Sequence, residues 1–212
     1  MVDGCVFCEK FGFSPTAKGE WFDQELLTIG DFVVVPGLGA FFEGYVMIVP
    51  RFHYSNLSIL STIDMNHFLY VKDLTKIAIS KIFGNVILFE HGSSTSGMGG
   101  GCIEHAHLHI MSLDTQNSKS NLADSVGAKI SIMKTDTPLL DTKALISQGK
   151  PYLFLEDFDG SSYIGDASNL PGQFMRRIIA HKIGKPSLWD YSLFPNYDLI
   201  QFTINKLSPW PK

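Results

Sequence analysis

Apolar positions in the first half of the chain predict strands on either side of one long helix. Two apolar, β-branched runs at 25–35 and 44–50 are separated by a turn-rich link, and they predict an antiparallel pair of strands. Apolar runs at 86–89 and 105–111 predict two more strands, separated by a loop rich in glycine and serine. The order strand, strand, helix, strand, loop, strand is typical of an α+β meander rather than of a βαβ series.

The long helix is predicted by apolar residues that recur at helical spacing between Thr62 and Phe83. These residues are Phe68, Val71, Leu74, Ile77, Ala78 and Ile82. Thr62 or Asp64 is suited to cap the N-terminus of this helix, and Gly84 is suited to end it.

The second half of the chain begins with a polar stretch and then returns to ordered patterns. Residues 114–150 are rich in Asn, Ser, Asp and Thr and predict mainly a connector, with a helix at about 122–133. The elements predicted after it are a strand at 152–156, a hairpin turn at 157–160 that leads into Tyr163 and Ile164, a helix from Pro171 to Ile183, and a helix at 197–207. We therefore expect a first domain at 1–113, a connector at 114–150, and a C-terminal extension at 151–212 packed on the first domain.

Composition and charge argue against several classes of protein. The 212 residues are 45% hydrophobic and carry a formal net charge of -4, unlike the basic field of a general nucleic-acid or membrane-surface binder. No apolar run is long enough to span a bilayer, and the first residues lack a signal-peptide pattern. The three cysteines, Cys5, Cys8 and Cys102, argue against a disulfide framework and favour a reducing compartment, so the expected location is cytoplasmic.

Three histidines alternate along the predicted strand at 105–111. Residues two apart share one face of a strand, so His105, His107 and His109 are expected to lie on the same face. The opposite face would carry the apolar residues Ala106, Leu108 and Ile110. A row of imidazoles is costly to bury without partners, which favours chemistry or metal binding over a surface row or the remnant of a tag. A neutral imidazole can attack phosphorus, and a carbonyl or carboxylate can hold its second nitrogen.

Several segments resemble the histidine-triad (HIT) superfamily of nucleotide hydrolases and transferases. CIEHAHLHIM is preceded by FEHG, and GYVMIVPRFHYSNL is similar to the strand and proline-basic-x-histidine segment of that superfamily. CVFC is similar to the N-terminus of its zinc-bearing members. The resemblance implies a HIT-like antiparallel sheet with flanking helices over 1–113, followed by a C-terminal α/β extension. Homodimers are common in the superfamily, but no residue pattern in this chain indicates one.

The resemblance also implies roles for two of the histidines. His107, the middle one, would attack the α-phosphorus of a nucleotide and form a nucleotidyl-histidine intermediate. His109 would bind the phosphate and assist the leaving group. The backbone near Val33, Val35 and Leu38 matches the nucleoside pocket of the superfamily only loosely.

Cys5 and Cys8 form a CxxC pair. Alone, such a pair is compatible with a tetrahedral metal site, a redox motif or two buried thiols. The resemblance to zinc-bearing members supplies His53 and His105 as further ligands and so implies a closed Cys₂His₂ zinc site. A closed site is structural. It would hold the N-terminus against the triad strand and orient His105 beside the nucleophile.

The chain departs from the superfamily in two places. Many members carry a glutamine before the triad strand, whereas this chain has a glycine run that ends in Gly101 and Cys102. Backbone N–H groups of this loop are the alternative donors for the leaving group. Many members have asparagines where this chain has Glu90 and His91, which either face the substrate or simply end a strand. The loop lacks the lysine and the following helix of a phosphate-binding P-loop, so it predicts a flap or a plain connector.

The C-terminal extension is similar to those of longer HIT-like proteins, including ones laid out like diadenosine-polyphosphate phosphorylases or splicing factors. Gln173, Arg176 and Arg177 lie on the first turns of a predicted helix, where a phosphate can bind, and Gln173 and Arg177 share a face. Gln173 and Arg177 are therefore the candidate substrate-binding residues of the extension. The alternative is that the arginines are solvated and paired with acidic neighbours. Trp189 and Tyr191 are predicted to pack the extension onto the first domain.

Together these features predict an enzyme that hydrolyses a nucleotide conjugate at its α-phosphate or transfers the nucleotidyl group. Candidate substrates are dinucleoside polyphosphates, nucleoside phosphoramidates and nucleotide sugars. The first class is favoured because the extension adds basic groups. Two alternatives stay open: a non-catalytic nucleotide or RNA-end binding module with the same fold, and a zinc-stabilised scaffold whose triad serves only metal.

Overall fold

The strands of the protein form one antiparallel sheet. The computed structural model describes residues 2–14, 17–94, 103–113, 121–208 and 210. Within these residues the strands are β1 Leu27–Ile29, β2 Phe32–Pro36, β3 Val46–Pro50, β4 Val86–Gly92, β5 Leu108–Ser112, β6 Ile132–Thr135, β7 Tyr152–Glu156 and β8 Ser162–Asp166. Their order in the sheet is β1-β2-β3-β5-β4-β7-β8-β6, and all neighbours pair antiparallel. With the helices that flank this sheet, the predicted α+β fold class is confirmed.

The helices agree with the sequence pattern where capping signals are local. They are α1 Val6–Phe11, α2 Thr62–Phe83, α3 Leu122–Gly127, α4 Pro138–Ser147, α5 Phe174–Lys182 and α6 Tyr197–Leu207. The bounds of α2 and α6 are those that the pattern predicts. The cap of α2 differs, because the hydroxyl of Ser61 accepts a hydrogen bond from the Asp64 N–H (3.2 Å). Gly84 ends α2 with a φ of 94°, a conformation that favours glycine.

The segment at 114–150, predicted to be mainly a connector, contains regular structure in its described part. The pattern predicts a helix to about 133, but α3 ends at Gly127 and β6 follows it as the edge strand of the sheet. The side chains of β6 are half-buried or exposed, and α4 buries only Thr142. A strand at the edge of a sheet needs few apolar residues, which explains why the polar sequence of β6 did not indicate a strand.

The triad strand begins later than predicted. β5 starts at Leu108, and His105 and His107 lie in the irregular segment before it. There the N–H of Ala106 donates to the carbonyl of Tyr54 (2.7 Å), in the segment that follows β3. Because His105 and His107 precede the strand, the alternation of side chains along a strand does not apply to them. The three histidines therefore do not form the expected row on one face.

The C-terminal extension continues the same sheet. β7 pairs with β4 from Leu88 opposite Glu156 to Gly92 opposite Tyr152, and β8 then pairs with β7. The helix expected from Pro171 begins instead at Phe174, because Gln173 has left-handed backbone angles (φ 60°, ψ 31°). Such angles are uncommon for a non-glycine residue and cannot occur inside a right-handed helix. None of the helices in the described part of the chain is long and apolar enough to cross a membrane.

Candidate active site

The ring of His107 is held by the backbone of its own segment. Its Nδ1–H donates to the carbonyl oxygen of His105 (2.7 Å), which leaves Nε2 unprotonated. The ring lies edge-on to that of His109, with 4.6 Å between centroids, and edge-on to Phe7 of α1 at 5.2 Å. Loss of water contact lowers the pKa of His107 from its ordinary value, although the bond to the His105 carbonyl opposes this. The neutral imidazole is therefore favoured near neutral pH.

His109 is held by a tyrosine that the sequence pattern did not single out. The hydroxyl of Tyr45 donates to Nδ1 of His109 (2.7 Å), which assigns the ring proton to Nε2. The ring stacks on Phe89, its β4 neighbour, with 4.3 Å between centroids. Burial lowers the pKa of His109 well below its ordinary value, and repulsion from the protonated forms of His107 and His91 and from the charge of Arg176 acts in the same direction. His109 is thus a neutral donor through Nε2.

These histidines line a cavity of about 240 Å³ between the sheet and the C-terminal extension. His91, the residue for which two interpretations stayed open, lines this cavity too, and β4 continues through it to Gly92. Burial is the main cause that lowers the pKa of His91 to about 3. Its Nε2 is buried and has no hydrogen-bond partner among the described residues. Leu38 also lines the cavity, whereas Val33 and Val35 are wholly buried in the core.

The extension places one of its two expected residues, Gln173, at the cavity, but not the other, Arg177. Arg176, which the sequence placed on the same helical turns but which is not among the candidates, also lines the cavity. Arg177 does not: its guanidinium lies over the ring of Trp189, 3.3 Å from the centroid, and donates to the carbonyl of Gly172 (3.0 Å). Tyr191, expected only to pack the extension, lines the cavity. The other two candidates, Gly101 and Cys102, lie outside the described residues.

Tyr45 is not among the residues predicted from the sequence, although one signal for it exists. Tyr45 precedes β3 and lies two residues before Met47, which pairs with His109 across the sheet. A residue at that spacing shares the face of Met47, and a hydroxyl on that face is well placed for a triad imidazole. Recognising it requires the register between β3 and β5, which the sequence pattern does not provide.

A second cluster is connected to His107 through His105, whose carbonyl holds the His107 ring. Cys5, Cys8, His53 and His105 place one sulfur or nitrogen atom each within 4.8 Å of all the others, a group that could hold a metal ion. Cys8 is on α1 and Cys5 directly precedes that helix, while His53 follows β3. Arg51, in the segment that follows β3, connects that segment to α1, because its Nη1 donates to the carbonyl of Phe11 (2.8 Å).

Glu90, the neighbour of His91, points away from the cavity and is buried. Its carboxylate accepts hydrogen bonds from the Leu57 N–H (2.8 Å) and the Tyr152 hydroxyl (2.7 Å). Burial nevertheless raises the pKa of Glu90 to about 7 from an ordinary 4.5, because desolvation outweighs both bonds. The raised pKa means that folding favours the protonated carboxyl, so this group stabilises the fold most below pH 4.5 and loses that contribution as the pH rises through about 7.

Glu90→Gln is therefore expected to flatten the pH dependence of stability. An amide cannot ionise, so relative to the wild type the variant gains up to about 3 kcal/mol of unfolding free energy between roughly pH 4.5 and pH 8. Urea unfolding at a series of pH values measures this difference. Glu104→Gln, at an exposed position, is the control and should follow the wild-type profile. Parallel profiles for Glu90→Gln and wild type would contradict the burial argument.

Comparison with known proteins finds similarity in solved structures alone. No protein-family model matches the chain, and no curated protein matches it significantly. A DUF4931 family protein from Bacillus cereus is 12% identical, with 78% of this chain and 99% of that one covered and a TM-score of 0.46. A HIT family hydrolase from Clostridium thermocellum is 13% identical, with 57% of this chain and 100% of that one covered and a TM-score of 0.41. Yeast Ap4A phosphorylase in complex with AMP is 14% identical, with 66% of this chain and 57% of that one covered and a TM-score of 0.38.

All three TM-scores lie below 0.5, so the function has to be inferred from the site itself. The structure brings together Cys5, Cys8, His53 and His105, and it places His107 and His109 at one cavity above an antiparallel sheet. These are the features that the sequence resemblance implied. The arrangement of these residues in the structure therefore agrees with the resemblance to the histidine-triad superfamily that the sequence shows.

Proposed function

We propose that the protein is a nucleotide phosphohydrolase or nucleotidyl transferase that acts at the α-phosphate through a nucleotidyl-histidine intermediate. The observation that carries this proposal is the 2.7 Å hydrogen bond from His107 Nδ1–H to the His105 carbonyl. It orients the ring and leaves the lone pair of Nε2 free beside a cavity. A neutral and oriented imidazole is what nucleophilic attack on phosphorus requires.

The reaction would proceed in two displacements. In the first, the Nε2 lone pair of His107 forms a bond to the α-phosphorus, and the bond to the leaving group breaks with its electron pair going to that group. In the second, water or another acceptor attacks the phosphorus, and the P–N bond breaks with its electron pair returning to Nε2. The Nε2–H of His109, assigned from its bond to Tyr45, donates to a phosphoryl oxygen and stabilises the developing charge.

We propose zinc as the metal of the Cys₂His₂ cluster. A tetrahedral zinc ion separates a sulfur ligand from a nitrogen ligand by about 3.6 Å. Cys5 Sγ lies 3.4 Å from Nδ1 of His105, and Cys8 Sγ lies 3.4 and 3.6 Å from Nδ1 of His53 and His105. The residues present therefore fit the ion. With four protein ligands the site is closed, so the metal would supply stability and orientation rather than a reaction step.

His105 is further prepared for such a role by its second nitrogen. Its Nε2–H donates to the carbonyl of Pro50 (2.6 Å), which leaves Nδ1 free to bind a metal. Burial is the main cause that lowers the pKa of His105 to about 4, so the ring is neutral near pH 7. The carbonyl of the same residue holds His107, and the cluster would thereby position the nucleophile.

The test is direct detection of the covalent intermediate. The protein is mixed with diadenosine polyphosphates, an adenosine phosphoramidate or a nucleotide sugar and quenched at alkaline pH, because a P–N bond hydrolyses in acid. Mass spectrometry of the peptide that contains His107 should detect the added nucleoside monophosphate for at least one class. Binding of nucleotides with neither turnover nor adduct would contradict the proposal and favour a non-catalytic binding module. Cytoplasmic location and homodimer formation stay predictions.

A further inference from the structure

Arg176 on α5 is a buried cation that forms none of the ion pairs found among the described residues. Its exposed fraction is 5%, and those ion pairs join other residues. Lys10, another cation that lines the cavity, is instead paired with Asp23 (2.8 Å). Burying a charge without an opposite partner is unfavourable, so a buried arginine of this kind points to an anion that completes its surroundings.

The guanidinium is fixed in place by neutral groups. Its Nε donates to the carbonyl of Trp189 (2.8 Å) and its Nη2 to the carbonyl of Gly39 (2.8 Å). Its central carbon lies 4.6 Å from the ring centroid of Phe41. The third nitrogen, Nη1, is buried and makes no hydrogen bond to the described residues. Arg176 is therefore oriented in advance, with one nitrogen that still lacks an acceptor.

Gly39 makes this placement possible. Its φ is 74°, and a Cβ atom built there would lie 2.6 Å from Nη2 of Arg176. Only glycine leaves both the backbone conformation and the room that the guanidinium needs. The loop after β2 and the extension thus fit together around this one side chain.

The position of Arg176 relative to the triad indicates which part of a ligand it would meet. Arg176 lines the same cavity as His107 and His109, and its side chain interacts with the hydroxyl of Tyr45 by charge and by hydrogen bonding, which opposes the rise in the pKa of that phenol that burial causes. Tyr45 contacts the Nδ1 edge of His109, whereas the attacked phosphate belongs at the Nε2 edge. Arg176 therefore lies on the Tyr45 side of His109, in the cavity that would hold the attacked phosphate but not at the Nε2 edge that would bind it.

We propose that Arg176 binds the second phosphate group of the substrate, so that the protein acts on nucleotides with a chain of two or more phosphates. This inference rests on the proposed function and narrows its substrate class to di- and polyphosphate conjugates. Arginine presents planar N–H donors that suit a phosphate group, and a buried site strengthens each charge-assisted bond. Gln173, also at this cavity, is the neighbouring polar residue of the subsite.

Equilibrium binding of AMP and ADP to the metal-loaded wild type and to variants tests the proposal. One charge-assisted contact to the second phosphate predicts that wild type binds ADP about 10-fold to 100-fold more tightly than AMP. In Arg176→Met this preference should fall to within about 3-fold of unity, with AMP affinity nearly unchanged. Arg177→Met, a neighbour that lies over Trp189 instead, is the matched control and should keep the wild-type preference.

The outcomes separate this inference from the proposed function and from a merely structural role. Equal weakening of AMP and ADP in Arg176→Met, with a lower melting temperature, would mean that the arginine only clamps the extension and would overturn the inference. If Arg176→Met does not fold, Arg176→Lys decides, because it keeps the charge but loses the planar donors and should reduce the preference. A wild type that forms the His107 adduct yet binds AMP and ADP equally refutes only the second-phosphate site. A wild type that forms no adduct refutes the proposed function itself.

Discussion

His107→Ala is expected to abolish the covalent nucleotide adduct and to lower kcat/KM by about 10³-fold or more. Among the described residues, His107 is the only histidine at the cavity whose ring is oriented by a backbone carbonyl. The variant removes the Nε2 lone pair of this ring. Residual turnover would come from binding and from the His109 donor alone. Stopped-flow or discontinuous assay of nucleotide release, together with mass spectrometry, measures both effects.

Two controls make this result specific to the nucleophile. The melting temperature of His107→Ala should stay near that of the wild type, because the ring is only half-buried. His181→Ala, at an exposed position on α5, changes the same residue type away from the cavity and should retain full activity. Wild-type rates in His107→Ala would refute covalent catalysis through this residue and leave a binding module as the explanation.

Cys8→Ser is expected to remove the bound metal and to lower the free energy of unfolding by about 3 kcal/mol or more. Cys8 is the buried thiol of the cluster and contacts both imidazoles, so its loss removes a ligand from the buried side of the site. Zinc per chain is measured by elemental analysis of protein purified without chelator, and stability by chemical unfolding. Wild type should contain about one ion per chain.

The same variant should also impair catalysis, through His107. Phe7 lies between the cluster and the triad, with its ring 5.8 Å from His105 and 5.2 Å from His107. Loss of the metal would loosen α1 and the carbonyl that holds the nucleophile. Wild type treated with a strong chelator should reproduce the stability of Cys8→Ser. A variant that keeps the metal content and stability of the wild type would refute the metal site.

Local signals explain which elements could be predicted from the sequence. The bounds of α2 and α6 and the strand at 152–156 follow from periodicity, from capping residues and from glycines, which act over one turn of chain. The strand β6 and the helix α4 could not be predicted in this way. β6 is the edge strand of the sheet, where few apolar residues are needed for burial, so its sequence resembles that of a loop. α4 lies within a segment whose overall polar composition indicated a connector.

The residues of the metal cluster and the triad could be named from the sequence because their types and spacings are restrictive. A CxxC pair and alternating histidines have few uses, and the resemblance to a known superfamily supplied the remaining ligands. What periodicity predicted wrongly was the sharing of one face by all three histidines. The chain leaves the sheet before Leu108, so His105 turns to the cysteines while His107 and His109 stay at the cavity.

The sequence by itself determined the fold class, the triad and the cysteine pair, because each depends on residue types at short and fixed separations. Only the tertiary structure decided that Arg176 rather than Arg177 reaches the cavity. Consecutive residues on a helix point about 100° apart, so the docking angle of α5 decides which of them faces inward. The partnership of Tyr45 with His109 likewise depends on the register of β3 and β5, since a shift by one residue would turn that hydroxyl to the other face of the sheet.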